Sequence, residues 1–137
     1  MKINHIGIAV PNIEEFLRKT DAIYGGFKRG PLVLNETQGI REMFITDGNT
    51  VLELLEPIRE NSPLAGFLKK NPQGGLVHIA FDVESLEGAM ERVQKAGGRV
   101  VVDPVPDVAF DQRRIAFTFL GGQVYEFIEK EPVKKGV

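Results

Sequence analysis

The two histidines of this 137-residue chain, His5 and His78, each have a glutamate at the same distance downstream: Glu53 follows His5 by 48 residues and Glu126 follows His78 by 48. Two imidazoles and two carboxylates make a donor set for one divalent ion such as Ni, Co, Mn, Fe or Zn, with two positions of an octahedral shell left for substrate. The two carboxylates also cancel the charge of the ion. Taken singly, a histidine in a strand is usually satisfied by hydrogen bonds and a glutamate usually faces water. Four coincident positions argue instead for one purpose, a metal site built from His5, Glu53, His78 and Glu126.

The elements that must position these residues are set by an internal repeat. His5-Ile6-Gly7-Ile8-Ala9-Val10 lies over His78-Ile79-Ala80-Phe81-Asp82-Val83 at an offset of 78 − 5 = 73, and the same offset places Thr50 to Glu56 over Gln123 to Glu129 without a gap. Each half reads strand, helix, then three strands. Strands are expected near 3–10, 31–36, 40–46 and 50–56 in the first half, and near 76–83, 98–103, 113–119 and 123–129 in the second. Asn12 and Ser85 stand where helix caps belong, with Glu15 in capping-box position after Asn12. Leu86, Ala89, Met90 and Val93 form a helical stripe that stops at Gly97-Gly98. Ser62-Pro63 opens a short connecting helix that ends before Asn71-Pro72, and Asp47-Gly48-Asn49 is a hairpin turn.

In the first strand alternate residues share a face, so His5 points with Gly7 and Ala9, away from Ile6, Ile8 and Val10. Glu53 and Glu126 likewise oppose aliphatic and aromatic neighbours. The apolar set should pack on the helices and the His/Glu set should face a shared concave surface. The expectation is an α+β fold of two tandem βαβββ modules forming a curved mixed sheet around a metal site, one domain over 1–137. Its modules are 1–60 and 75–130, joined by a helical connector at 61–74, and the tail from Glu131 is expected to be loose.

Composition narrows the function classes. With 42% hydrophobic residues the chain can fill a core, and 17 basic against 19 acidic residues give a formal charge of −2, which offers no general field for nucleic acid or an anionic membrane. The absence of cysteine excludes disulfides, thiolate metal sites and a cysteine nucleophile. No stretch reads as a signal h-region or a membrane span, and the expected location is the cytoplasm. No phosphate-cradle motif is present, so no nucleotide cofactor is expected.

The chain resembles the vicinal oxygen chelate superfamily (glyoxalase, bleomycin resistance and dioxygenase proteins) over residues 3–130. Within it, the first two-thirds are most similar to methylmalonyl-CoA epimerases. The wording that carries this is His5-Ile-Gly-Ile-Ala-Val-Pro-Asn, Asn35-Glu-Thr-Gln-Gly-Ile, Gly48-Asn-Thr-Val-Leu-Glu-Leu-Leu-Glu-Pro, Ser62-Pro-Leu-Ala-Gly-Phe-Leu-Lys-Lys-Asn and Gly74-Gly-Leu-Val-His-Ile. The resemblance implies His5, Glu53, His78 and Glu126 as ligands of one divalent metal (Co, Ni, Zn or Mn) and places Glu36 at the site of a catalytic carboxylate. It implies proton abstraction beside a thioester carbonyl, with Glu36 and Glu126 as bases on opposite faces and an acyl thioester as substrate. A homodimer is expected from the exposed sheet edges. Arg113, Arg114, Lys69 and Lys70 are candidates to meet the phosphates of a coenzyme A tail, although such residues are usually just solvated.

Two departures bear on substrate rather than metal. Phe117-Thr118-Phe119-Leu120-Gly121-Gly122 turns at once where epimerases carry a longer loop, and Phe110-Asp111-Gln112-Arg113-Arg114 is not epimerase wording. A glyoxalase I type lactoylglutathione lyase uses the same donor set and is the second reading; its aromatic first-helix wording and early arginine are missing here. An extradiol dioxygenase needs two histidines and one glutamate on iron and usually four modules. A metal-free binding protein of the same fold has no use for the matched His/Glu set.

Overall fold

Asn12, Ser62 and Ser85 each begin a helix with extended backbone, and each side-chain oxygen accepts a backbone N–H three residues on, from Glu15, Ala65 and Gly88 respectively. Such caps are typically worth about 1 kcal/mol apiece and fix where the chain leaves a strand. The helices that follow are α1 (Ile13–Lys19), α3 (Pro63–Lys70) and α4 (Leu86–Lys95); α2 (Asp21–Tyr24) is a further short turn after α1. The strands are β1 (Lys2–Ala9), β2 (Lys28–Asn35), β3 (Ile40–Thr46), β4 (Val51–Pro57), β5 (Gly75–Val83), β6 (Arg99–Pro106), β7 (Arg114–Leu120) and β8 (Gln123–Glu129). The computed structural model describes residues 1–130, and the tail from Glu131 expected to be loose lies outside the described residues. The α+β class with two βαβββ modules is what the structure shows.

The described chain forms two compact units, His5–His78 and Met1–Asn4 with the chain from Ile79 on. In the first module the strand order is β2-β3-β4-β1, with β3 antiparallel to both neighbours and β1 parallel to β4. In the second the order is β5-β8-β7-β6, with β7 antiparallel to β6 and β8. Read through the repeat these are one order, since β5, β8, β7 and β6 stand for β1, β4, β3 and β2 in turn.

Each unit has its own core, drawn from matching positions. Val10, Ile13, Leu17, Ile45 and Leu54 are buried together in one, with Ile8, Phe16, Met43 and Leu52 against them. Val83, Leu86, Ala89, Val93, Ala116 and Phe127 are buried in the other, with Phe81, Met90 and Tyr125 packed on them. Val10 and Val83, Ile13 and Leu86, and Leu54 and Phe127 are repeat partners at offset 73, so the apolar face of each strand meets the stripe of its own helix. The opposite strand face is thereby left to the histidines and glutamates.

β2 and β6 are longer than the spacing predicts, reaching Lys28–Asn35 and Arg99–Pro106. Pro31 and Pro104 lack the N–H that a central strand needs, but β2 and β6 are the last strands of their orders and tolerate it. The ladder slips at these points, between Arg29 and Leu32 and again between Val100 and Val105. α2 has too few residues to carry a stripe; it is fastened by the Tyr24 ring stacked on Phe16 at 5.8 Å. At the β3–β4 turn, the Asp47 carboxylate accepts N–H groups from Asn49 and Thr50 at 2.9 and 2.8 Å. Among the described residues, no helix is long and apolar enough to cross a membrane.

Candidate metal centre

Three strands of the first unit bring His5, Glu53 and His78 to one point. β1 carries His5, β4 carries Glu53 and the start of β5 carries His78; their relative exposures are 0%, 3% and 5%. The parallel register sets Gly7 beside Glu53, so the glutamate lies one strand over and two residues on from His5. His5 Nε2 is 3.2 Å from Glu53 Oε1, His78 Nε2 is 3.3 Å from the same oxygen, and the two Nε2 atoms are 3.2 Å apart. Donors that each lie 2.0–2.2 Å from a common ion at right angles are about 3 Å from one another, so this triangle has the spacing of adjacent ligands. The donor chemistry fits a borderline divalent metal.

The charge state of Glu53 also fits. Burial pushes its carboxyl up, but hydrogen bonds from His5 and His78, with a further one from Glu42, outweigh that and hold it well below the usual glutamate range. Glu53 is therefore an anion wherever the histidines can ligate. The edge of the Phe44 ring, 5.3 Å from the His5 ring at 81°, limits the turning of His5. Phe44 pairs with Glu53 across β3 and β4, which fixes aromatic and carboxylate side by side.

Glu42, on β3, is the residue that reasoning from the sequence missed. It is 2% exposed and hydrogen-bonds to Glu53. The signal was present in the strand alternation: Glu42 has the parity of Phe44, while Met43 and Ile45 join the helix-side core. A charged residue on the inward face of a strand is expensive unless something uses it. Glu36, where the family resemblance put a catalytic carboxylate, lies exposed in the turn after β2. Its backbone carbonyl accepts from Arg59 Nη2 at 3.1 Å and from the Gly39 N–H at 3.2 Å. Glu42 supplies a second buried carboxyl, hydrogen-bonded to Glu53.

Glu126 belongs to the other unit. It is 2% exposed on β8, paired with Phe117 of β7, in the place that Glu53 and Phe44 hold on β4 and β3. Of the basic candidates, Arg114 is engaged by Glu87 and Glu129, and Lys69 and Lys70 are exposed in the last turn of α3.

Comparison with known proteins agrees with the geometry. The profile of the Glyoxalase/Bleomycin resistance protein/Dioxygenase superfamily matches residues 4–117. The chain belongs to that superfamily. It is 37% identical over 116 residues to the ethylmalonyl-CoA/methylmalonyl-CoA epimerase of Cereibacter sphaeroides, covering 85% of this chain and 86% of the relative. To the mitochondrial methylmalonyl-CoA epimerase of Dictyostelium discoideum it is 32% identical over 133 residues, 94% of this chain and 78% of the relative. Among solved structures, a Streptomyces coelicolor methylmalonyl-CoA epimerase variant in complex with 2-nitronate-propionyl-CoA superposes with a TM-score of 0.79 at 29% identity, covering 96% of this chain and 99% of that one. The chain is thus an epimerase-like enzyme of the superfamily.

Proposed function

We propose that this protein is a divalent-metal-dependent epimerase that removes and returns the proton at the α-carbon of a methylmalonyl-CoA-type acyl thioester. The observation that carries the proposal is the buried triangle of His5, Glu53 and His78 donors with the Glu42 carboxyl against it. The epimerase names of the relatives supply the substrate class.

His5, Glu53 and His78 would hold the ion, and Glu126, their repeat-equivalent partner on β8, is proposed as the fourth ligand. A divalent ion held there supplies a Lewis acid where negative charge develops on the thioester oxygen. Glu42 is proposed to hold or take the α-proton on one face, and Glu126 to serve the other. An epimerase needs an acid on one face when it has a base on the other, and the Glu42 carboxyl, buried and hydrogen-bonded to Glu53, is proposed as one of the pair.

The test is α-proton exchange of methylmalonyl-CoA in D₂O, with metal-loaded protein, chelator-stripped protein and a His78→Ala control. Exchange that depends on metal and is lost in the control is the expected result. No exchange despite one tightly bound ion would retain the site and sink the substrate.

A further inference from the structure

Gly7 stands on β1 two residues beyond His5, abreast of Glu53 on β4. Its backbone has no positive φ, so nothing in its conformation asks for glycine. Glycine inside a strand weakens it and packs nothing. What occupies the missing side-chain volume is the His78 ring: a Cβ on Gly7 would lie 2.5 Å from Nε2 and 2.7 Å from Nδ1, and closer still to Cε1. Real Cβ atoms do not approach other heavy atoms that closely, so a methyl at position 7 and the present ring position exclude one another. The repeat partner of Gly7 is Ala80, so a strand at this place in a module accepts a Cβ. The glycine is therefore a feature of the first module's site and not of the strand pattern.

We infer that Gly7 is a positioning residue for His78: the bare backbone of β1 is the seat on which the imidazole lies so that Nε2 meets His5 and Glu53. The inference rests on the metal reading above and adds to it a determinant that is itself no ligand. Displacing the ring by even a methyl radius would open the triangle of donors and weaken binding of any ion that needs all three.

The experiment compares wild type, Gly7→Ala, His78→Ala and the double variant. In the metal-free proteins the Cε1–H resonance of His78, assigned by its loss in His78→Ala, is followed by NMR. Co²⁺ affinity and the cobalt absorption bands are followed by titration, and stability by thermal unfolding. In Gly7→Ala the His78 resonance is expected to move, Co²⁺ affinity to fall by about tenfold or more with altered bands, and any loss of stability to vanish when His78 is also alanine. An unmoved resonance with wild-type Co²⁺ binding would overturn the inference. So would a loss of stability that is the same with and without the His78 ring, because Gly7 would then be a backbone requirement. A wild-type protein that takes up no Co²⁺ overturns the metal reading itself. A wild type that binds Co²⁺ beside an indistinguishable Gly7→Ala overturns only the role of Gly7.

Discussion

Arg41 and Arg114 stand 73 residues apart and hold the same pair of carboxylates, each in its own unit. Arg41 Nη2 donates to Glu14 Oε1 at 2.7 Å and its Nε lies 3.5 Å from Glu56 Oε2. Arg114 Nη2 lies 2.8 Å from Glu87 Oε1 and its Nε donates to Glu129 Oε2 at 2.7 Å. Glu14 and Glu87 sit in the first turns of α1 and α4, where a carboxylate suits the helix dipole, and Glu56 and Glu129 end the last strand of each module. In each half the arginine ties the module's helix to its strands.

The two arginines should nonetheless differ when removed. Glu56 is 8% exposed and also accepts the Ile13 N–H at 2.8 Å, so Arg41→Ala leaves a buried anion with less compensation. Glu129, whose side chain is 24% exposed, can rehydrate. Arg41→Ala is expected to cost about 1–2 kcal/mol, whereas Arg114→Ala should lower the melting temperature by only about 2–4 °C and lose even that in high salt. Urea titrations of both variants at low and high salt check the order; an equal loss would show that burial of Glu56 is not the deciding factor.

The duplication was legible because it left its mark at every level: caps at Asn12 and Ser85, equivalent core positions such as Leu54 and Phe127, and one His/Glu pair per half. Periodicity failed where packing or partner strands overrode it. The strands holding Pro31 and Pro104 run longer than the spacing predicts, being paired on one side only. Glu36 came from the family resemblance and not from periodicity, and it lies exposed in the turn after β2. Glu42 was passed over because a single glutamate between Arg41 and Met43 reads as surface, although its parity with Phe44 turns it inward.

Acidification should act on metal binding through the imidazoles before it acts on Glu53. The folded protein holds the Glu53 carboxyl below its ordinary value of 4.5, so it binds fewer protons there than the unfolded chain does. The stability this gives is complete above that value and drains away only as pH falls below it. Ligating histidines must be neutral, so protons compete with the ion at the donor atoms. Co²⁺ affinity is therefore expected to fall as pH is lowered, while metal-free stability keeps its Glu53 contribution down to the ordinary glutamate value. Parallel Co²⁺ titrations and urea curves at falling pH test the separation; an affinity that does not change with pH would count against two histidine ligands.

Glu42→Gln is expected to keep the shape of the site and lose its proton chemistry. Co²⁺ binding should change little, whereas α-proton exchange of methylmalonyl-CoA should slow by about 10²–10⁴, the usual contribution of a positioned base. The same change at exposed Glu36 is expected to stay within about threefold, as for a surface turn residue without a catalytic partner. Single-turnover exchange rates at saturating substrate make the comparison; a large loss at Glu36 with Glu42 spared would move the base to the turn.

Gly74 and Gly48 separate the cost of a backbone angle from that of a collision. Both have positive φ, +91° and +100°, which an L side chain adopts with strain. A Cβ on Gly48 meets open space, but one on Gly74 would strike the carbonyl oxygen of Ala9. That oxygen is backbone at the end of β1 and cannot rotate aside, so relief requires the chain entering β5 to move. Gly48→Ala should therefore cost about 1 kcal/mol, the price of conformation alone, and Gly74→Ala about 2–4 kcal/mol, with the collision added. Because β5 carries His78 four residues later, Gly74→Ala should also weaken Co²⁺ binding, and Gly48→Ala should not. Equal losses of stability in the two variants, with metal affinity intact, would mean that the start of β5 yields easily and that His78 is placed by the strands beside it.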